Sequence, residues 1–301
     1  MTLAPRVVVV HRRTELDGLL DQHGTRGQAE FFLRSRGRDL AAAQTRHDAQ
    51  DEALREVRAG VPEAWRRGDV EREDLPRFGF EPLDVVVVVG QDGLVANVAK
   101  YVDGQPVLGV DPEPGRNPGV LVRHPARAVA GLLVAVVQGA ATVRPRAMAR
   151  AELDDGQWLD ALNEVFVGHA SHQSARYRLR TGGAAPGRDG GERQSSSGLI
   201  VATGTGATGW AASIRRERAV GPALPGPDDP ALAWFVREAW PSPTTGTDLT
   251  AGTLARDERL YLVVESDALV VFGDGLEADR LTATWGQTVT LGRSPRLLRL
   301  V

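Results

Sequence analysis

The sequence predicts a parallel α/β domain followed by a mostly β domain, and three observations carry this reading. The stretch Leu83-Asp84-Val85-Val86-Val87-Val88-Val89 ends in five consecutive valines. Such a run cannot alternate between core and solvent, so it belongs to a strand buried on both faces, as in a parallel sheet covered by helices. A glycine-rich turn, a helix-compatible stretch and a second short apolar run follow at once, which is the order of a βαβ unit. Beyond about residue 140 the texture changes to short strand-like runs separated by turn-rich segments. The expected division is residues 1–140 as the α/β domain and 141–301 as the mostly β domain, with a C-terminal tail that could return to the first.

Taken in order, Val7–Val10 is a short β-branched run between Pro5 and His11-Arg12-Arg13, expected as a buried first strand. Residues 26–60 are polar and rich in Ala, Leu, Arg and Glu, which fits amphipathic helices, with Gly60 and Pro62 as their stop. Then come the valine strand, the loop Gly90-Gln91-Asp92-Gly93, a helix over Leu94–Tyr101 and a strand over Gln105–Val110. A right-handed crossover puts that loop at the carboxyl end of the sheet. In the second domain, strands are expected at Glu164–Val167, Tyr177–Arg180, Leu199–Ala202, Leu260–Val264, Ala268–Phe272 and Thr288–Leu291. Thr181–Ser197 and Gly221–Pro230 have the composition of exposed loops.

Composition removes several kinds of chemistry. The chain has 301 residues, a formal charge of -3 and no cysteine. It therefore lacks disulfides, thiolate metal sites and a cysteine nucleophile. Lys100 is the single lysine and is followed by Tyr101, so no Gly-Lys-Ser/Thr phosphate loop exists. Near-neutral charge with dispersed arginines gives no reason to expect nucleic acid as a partner. No apolar run approaches the roughly 20 residues of a membrane helix, and Met1–Val10 lacks the layout of a signal peptide. A cytoplasmic protein without membrane partners is expected. His169 and His172 sit three apart without a third ligand at metal spacing, so no protein-built metal site is expected.

Three constellations remain. In Gly90-Gln91-Asp92-Gly93, the glycines would let backbone amides approach a phosphate at a helix start. Asp92 there suits a proton acceptor or part of a Mg²⁺ shell, and equally a helix cap in an ordinary strand-to-helix turn. Thr203-Gly204-Thr205-Gly206-Ala207-Thr208-Gly209 offers amides and hydroxyls without bulk, suited to polyphosphate or ribose contacts. Asn163-Glu164 could accept and donate hydrogen bonds to ribose hydroxyls, or be a surface pair. Ser242–Thr247 is hydroxyl-rich and reads either as a loop near the site or as a simple turn, and Gly273–Asp279 as a tight hairpin turn.

In this order the pieces resemble the NAD kinase family, closest to its mitochondrial-type branch and bacterial relatives. Gly90–Gly93 resembles the family's Gly-Gly-Asp-Gly loop. Ala99-Lys100 resembles the branch's Ser-Lys helix ending, and Asp111-Pro112-Glu113 its Asp-Pro-Glu turn. Asn163-Glu164 resembles its Asn-Glu pair, and Thr203–Gly206 its Thr-Gly-Thr-Gly loop. Arg237-Glu238, Pro241–Thr247 and Gly273–Asp279 resemble later segments. The resemblance implies a Rossmann-like α/β domain with a β-sandwich-like C-terminal domain. It implies ATP-dependent, Mg²⁺-requiring phosphorylation of the adenosine ribose 2′-hydroxyl of NAD, carried out by at least a homodimer. It implies Asp92 as the catalytic base or charge organiser. Gly90, Gln91, Gly93, Asn163, Glu164, Thr203, Gly204, Thr205, Gly206 and Thr208 would bind nucleotide or substrate. Three positions depart from the family: Gln91 replaces a glycine, Leu94 a threonine or serine, and Ala207 a serine. They leave open a nucleotide-binding member with altered or lost catalysis, and a kinase of another hydroxylated substrate.

Overall fold

The computed structural model describes residues 4–116, 119–182, 191–218 and 221–301. The chain divides into two compact units, Met1–Arg144 with Arg299–Val301, and Pro145–Leu298. Among the described residues no helix is long and apolar enough to cross a membrane.

The first unit is built on parallel strands. β1 (Arg6–His11) lies between β2 (Arg66–Glu71) and β3 (Asp84–Val89), and β4 (Pro106–Val110) pairs with β3, all in parallel. Every residue of β3 is buried. Val7, Val9, Val85, Val87 and Val89 pack against α3 (Leu40–Gly60) and α5 (Val129–Val137), while Val8, Val10, Val86 and Val88 are buried on the other face. The valine run thus meets apolar cover on both sides, the reason it does not alternate. Register places Arg6 opposite Asp84. The guanidinium donates to both carboxylate oxygens at 2.8 and 2.6 Å and so compensates a buried charge. α1 (Glu15–His23) starts at a reciprocal Thr14–Asp17 capping box, and α2 (Arg26–Arg34) starts at Thr25. α4 (Asp92–Ala99) follows β3 directly and begins two residues before the expected Leu94. At Gly109 of β4 an added Cβ would overlap the Leu121 carbonyl, so the segment after residue 118 crosses this strand at backbone distance.

The second unit is two antiparallel sheets over one core. One sheet contains β5 (Arg144–Leu153), β6 (Trp158–Ala161), β8 (Ala175–Thr181), β9 (Glu192–Ser196), β13 (Arg259–Val264) and β16 (Thr288–Leu300). The other runs β12 (Ala251–Leu254), β11 (Leu232–Val236), β10 (Leu199–Ala202), β7 (Glu164–Gly168), β14 (Ala268–Gly273) and β15 (Leu276–Thr284). Val165, Leu199 and Val271 of the second sheet share a core with Leu179, Leu262 and Leu291 of the first. α6 (Trp210–Arg218) covers the outer face of the second sheet through Ala211 and Ile214 on Ile200 and Phe235. The final residues of β16, Arg299 and Leu300, pair in parallel with Pro106 and Val107 of the first unit's β4.

Two sequence expectations are corrected. Glu192–Ser196 of the expected Thr181–Ser197 loop is a strand, with Gln194 and Ser196 buried; residues 183–190 lie outside the described residues. The expected turn Gly273–Asp279 is shorter. Asp274 and Gly275, at φ 58° and 69°, make the turn, and the chain is a strand from Leu276 onward.

Candidate functional site

The predicted residues fall into two groups, one in each unit. In the first unit the chain leaves β3 at Gly90, whose N–H donates to the Val110 carbonyl at 3.0 Å, and enters α4 at Asp92. Gln91 occupies the helix N-cap position without making a capping bond. Instead its Oε1 accepts a 3.0 Å hydrogen bond from Arg12 Nη2. Asp92 is half-buried and does not cap its own helix. Its Oδ2 accepts from Val120 N at 2.7 Å, and its Oδ1 accepts from Leu121 N and Val122 N at 2.9 and 3.0 Å. The carboxylate therefore clasps the segment that crosses β4.

This loop lines a cavity of about 560 Å³ with Arg12, Arg13, Arg46, Asp111 and Glu113. Arg13 pairs with Asp21 at 2.5 Å, and Arg46 pairs with Glu15. Burial pushes the Glu15 carboxyl up, but hydrogen bonds from Arg38 and Arg46 outweigh it and hold the group below its ordinary value. Arg12 has no carboxylate partner among the described residues. These arginines were not singled out in the sequence. The available signal was that Arg12 and Arg13 come just after the expected first strand Val7–Val10, at an end of the sheet where ligands of such folds bind.

In the second unit Asn163, Glu164 and the Thr203–Thr208 loop come together. Asp274 accepts hydrogen bonds from the backbone N–H groups of Leu162 and Asn163 at 2.9 and 2.6 Å, and so fixes the bend between β6 and β7. Thr203 Oγ1 donates to the Leu162 carbonyl at 2.6 Å and accepts from the N–H groups of Thr205 and Gly206 at 3.1 Å each. Thr203 N donates to the Asn163 carbonyl at 2.9 Å. An added Cβ would overlap the Gly226 carbonyl at Gly204 and the Asn163 carbonyl at Gly206. Both glycines are thus required by the loop's own packing. Thr205 is buried and its hydroxyl has no hydrogen-bond partner among the described residues. Thr208 is exposed and its hydroxyl donates to the Thr205 carbonyl at 3.2 Å, while Ala207 is buried. The Glu164 carboxyl makes no hydrogen bond or ion pair among the described residues, and burial, with the charge of Asp274 added, pushes it up to about 7. A half-buried carboxyl of this kind, near neutrality and without a partner, is characteristic of functional sites.

Other candidates take ordinary structural roles. Ser242–Thr245 closes on itself through backbone bonds of 3.2 Å. The hydroxyl of Ser171 bonds His169 Nδ1 at 3.0 Å. Among the described residues no three His, Cys, Asp or Glu side chains converge to hold a metal ion.

The molecule is thus an α/β unit with a polar, arginine-lined cavity at a strand-to-helix loop, joined in sequence to a β-sandwich unit carrying a carboxyl–amide–hydroxyl cluster. No protein-family model matches the chain, and no curated protein matches it.

Proposed function

We propose that the chain is an NAD-kinase-type phosphotransferase that uses ATP to phosphorylate the adenosine ribose 2′-hydroxyl of NAD. The observation that carries this reading is the cluster of Asn163, Glu164 and Thr205. A carboxylate without a partner among the described residues can accept hydrogen bonds from both hydroxyls of a ribose, with the Asn163 amide next to it in sequence. The first-unit cavity supports it. Arg12 and the Gly90–Gly93 backbone suit a phosphate chain, for which guanidinium groups and loop amides replace the absent lysine. Asp92 spends three of roughly four acceptor positions on backbone amides, which leaves one for a substrate hydroxyl. In this reading it orders the cavity wall and the attacking group together.

Magnesium fits this site as an ion carried by the nucleotide. The converging carboxylates of a protein-built cage are absent among the described residues, and Mg²⁺ commonly needs only one or two carboxylates besides phosphates. Asp111 is the cavity residue placed to supply one. When bound, the ion neutralises charge on the transferring phosphoryl group. The resemblance also leads us to propose a homodimer, to be checked by light scattering.

A second reading is favoured by one observation, the hydrogen bond from Arg12 to Gln91, which places a side chain where the family has bare backbone. It makes the chain a dinucleotide-binding protein with altered catalysis. Incubation of the purified protein with ATP, Mg²⁺ and NAD decides between them. NADP formation is expected. NAD binding by calorimetry without NADP would overturn the kinase reading in favour of the second, and absence of both would overturn the two together.

A further inference from the structure

The second unit carries an arginine-lined cleft that shares no residue with either group above. It holds about 470 Å³ beside the turn from β12 to β13 and the strand β16. Register sets Arg259 of β13 opposite Gly292 of β16, and a Cβ at 292 would overlap the Arg259 side chain. The glycine therefore lets Arg259 lie across the strand, where its Nη1 donates to the Glu258 carbonyl at 2.9 Å. Next to it, Arg293 Nε is buried without a hydrogen-bond partner among the described residues. Burial, and after it the charge of Arg256, hold the Arg293 guanidinium below its ordinary value, with Asp257 opposing. A guanidinium remains protonated regardless, so Arg293 is a partly desolvated cation beside a second one.

The local charge count points the same way. Arg150, at the edge of the cleft, is satisfied by a two-pronged bond to Asp160 at 2.8 and 2.9 Å. Arg256, Arg259 and Arg293 make no ion pair among the described residues, and the facing carboxylates are Glu152 and Asp257. Three free cations against two acids leave the cleft positive, with one buried N–H donor unanswered.

We propose that this cleft is a phosphate-binding site of the second unit, in which Arg256 and Arg293 hold a phosphate dianion, either inorganic phosphate or the head of a small phosphomonoester. Guanidinium forks match phosphate oxygens two at a time. The volume exceeds that of a bare ion and lies within the range of small-molecule pockets.

The test is calorimetric titration of the full chain with inorganic phosphate, and separately with glycerol phosphate, at ionic strength held constant with sodium chloride. Saturable binding is expected, weakened about tenfold or more by Arg256→Ala and by Arg293→Gln, since each removes a charge-assisted contact. The titrations are repeated in an Arg12→Ala background, which silences the first-unit cavity, and the binding that remains there is the one read. Tighter binding of the ester identifies an esterified ligand; tighter binding of the free ion identifies inorganic phosphate. Should Arg293→Gln misfold, Arg256→Ala decides alone, because Arg256 is exposed. Absence of saturable binding would overturn the proposal. So would binding that survives Arg256→Ala in the Arg12→Ala background, or the absence of saturable binding from that background. None of these outcomes depends on NADP formation, so this site and the kinase reading fail or stand separately.

Discussion

Asp92→Asn separates a carboxylate that works on substrate from one that also holds the fold. The change is isosteric, so a carboxylate acting only on substrate would lose turnover and leave stability untouched. The structure predicts otherwise. Asparagine keeps one acceptor oxygen, which can retain Leu121 N and Val122 N, but its amide nitrogen then faces the N–H of Val120. One backbone donor is orphaned and the two remaining bonds lose their charge assistance, for a combined cost of about 2–4 kcal/mol. In a domain of roughly 150 residues that lowers the melting temperature by about 6–12 °C. Calorimetry should show this shift, and hydrogen exchange should show faster exchange at residues 120–122. A melting temperature within about 1 °C of wild type, with unchanged protection there, would refute the clasp.

Three more predictions follow from the same geometry. Glu164 is raised to about 7 in the folded chain from 4.5, so its stabilising contribution is full below pH 4.5 and is lost as pH rises through 7. Glu164→Gln should therefore stabilise the protein by about 1–3 kcal/mol at pH 8 and by almost nothing at pH 4, measured by urea unfolding at both values; equal effects at the two would refute it. Gly93 has open space where a Cβ would go, whereas at Gly204 a Cβ strikes backbone. Gly93→Ala should fold normally and Gly204→Ala should lose several degrees in a melt; if the first then binds ATP weakly, its glycine serves the ligand. Asp84→Asn should cost about 1–3 kcal/mol in chemical denaturation, because it turns an amide N–H toward the Arg6 guanidinium and leaves Glu81 as its carboxylate partner.

What the sequence disclosed follows from where the apolar signal was strong. Val85–Val89 and Leu199–Ala202 are central strands buried throughout, so their residues are uniformly apolar. β2 is Arg66–Glu71, with Val70 its one buried residue, and β15 is largely exposed, so neither carries an apolar period. β5 is alanine-rich in a way that suits a helix as well as a strand, and only pairing with β6 and β16 decides it. At the candidate site, the identities Asp92, Asn163 and Glu164 were legible, but their partners were not. The bonds from Asp92 to residues 120–122 and from Asp274 to residues 162–163 span long sequence separations that no local pattern encodes. Similarly, Gly204 and Gly206 look like glycines for a ligand until the carbonyls of Gly226 and Asn163 are seen beside them.

Strand order also sets an order of events in folding. The first unit's β4 pairs with Arg299–Leu300, the Val301 N–H donates to Val107, and His124 bonds the Val301 carbonyl. On a ribosome, the α/β unit would emerge with the edge of its sheet still open and would stay so until residues 299–301, which follow the sandwich unit in sequence, had been made. Contacts this distant in sequence slow folding, and an open strand edge invites pairing with other chains. Residues 299–301 are thus a late seal, and disrupting them should appear first as aggregation during expression.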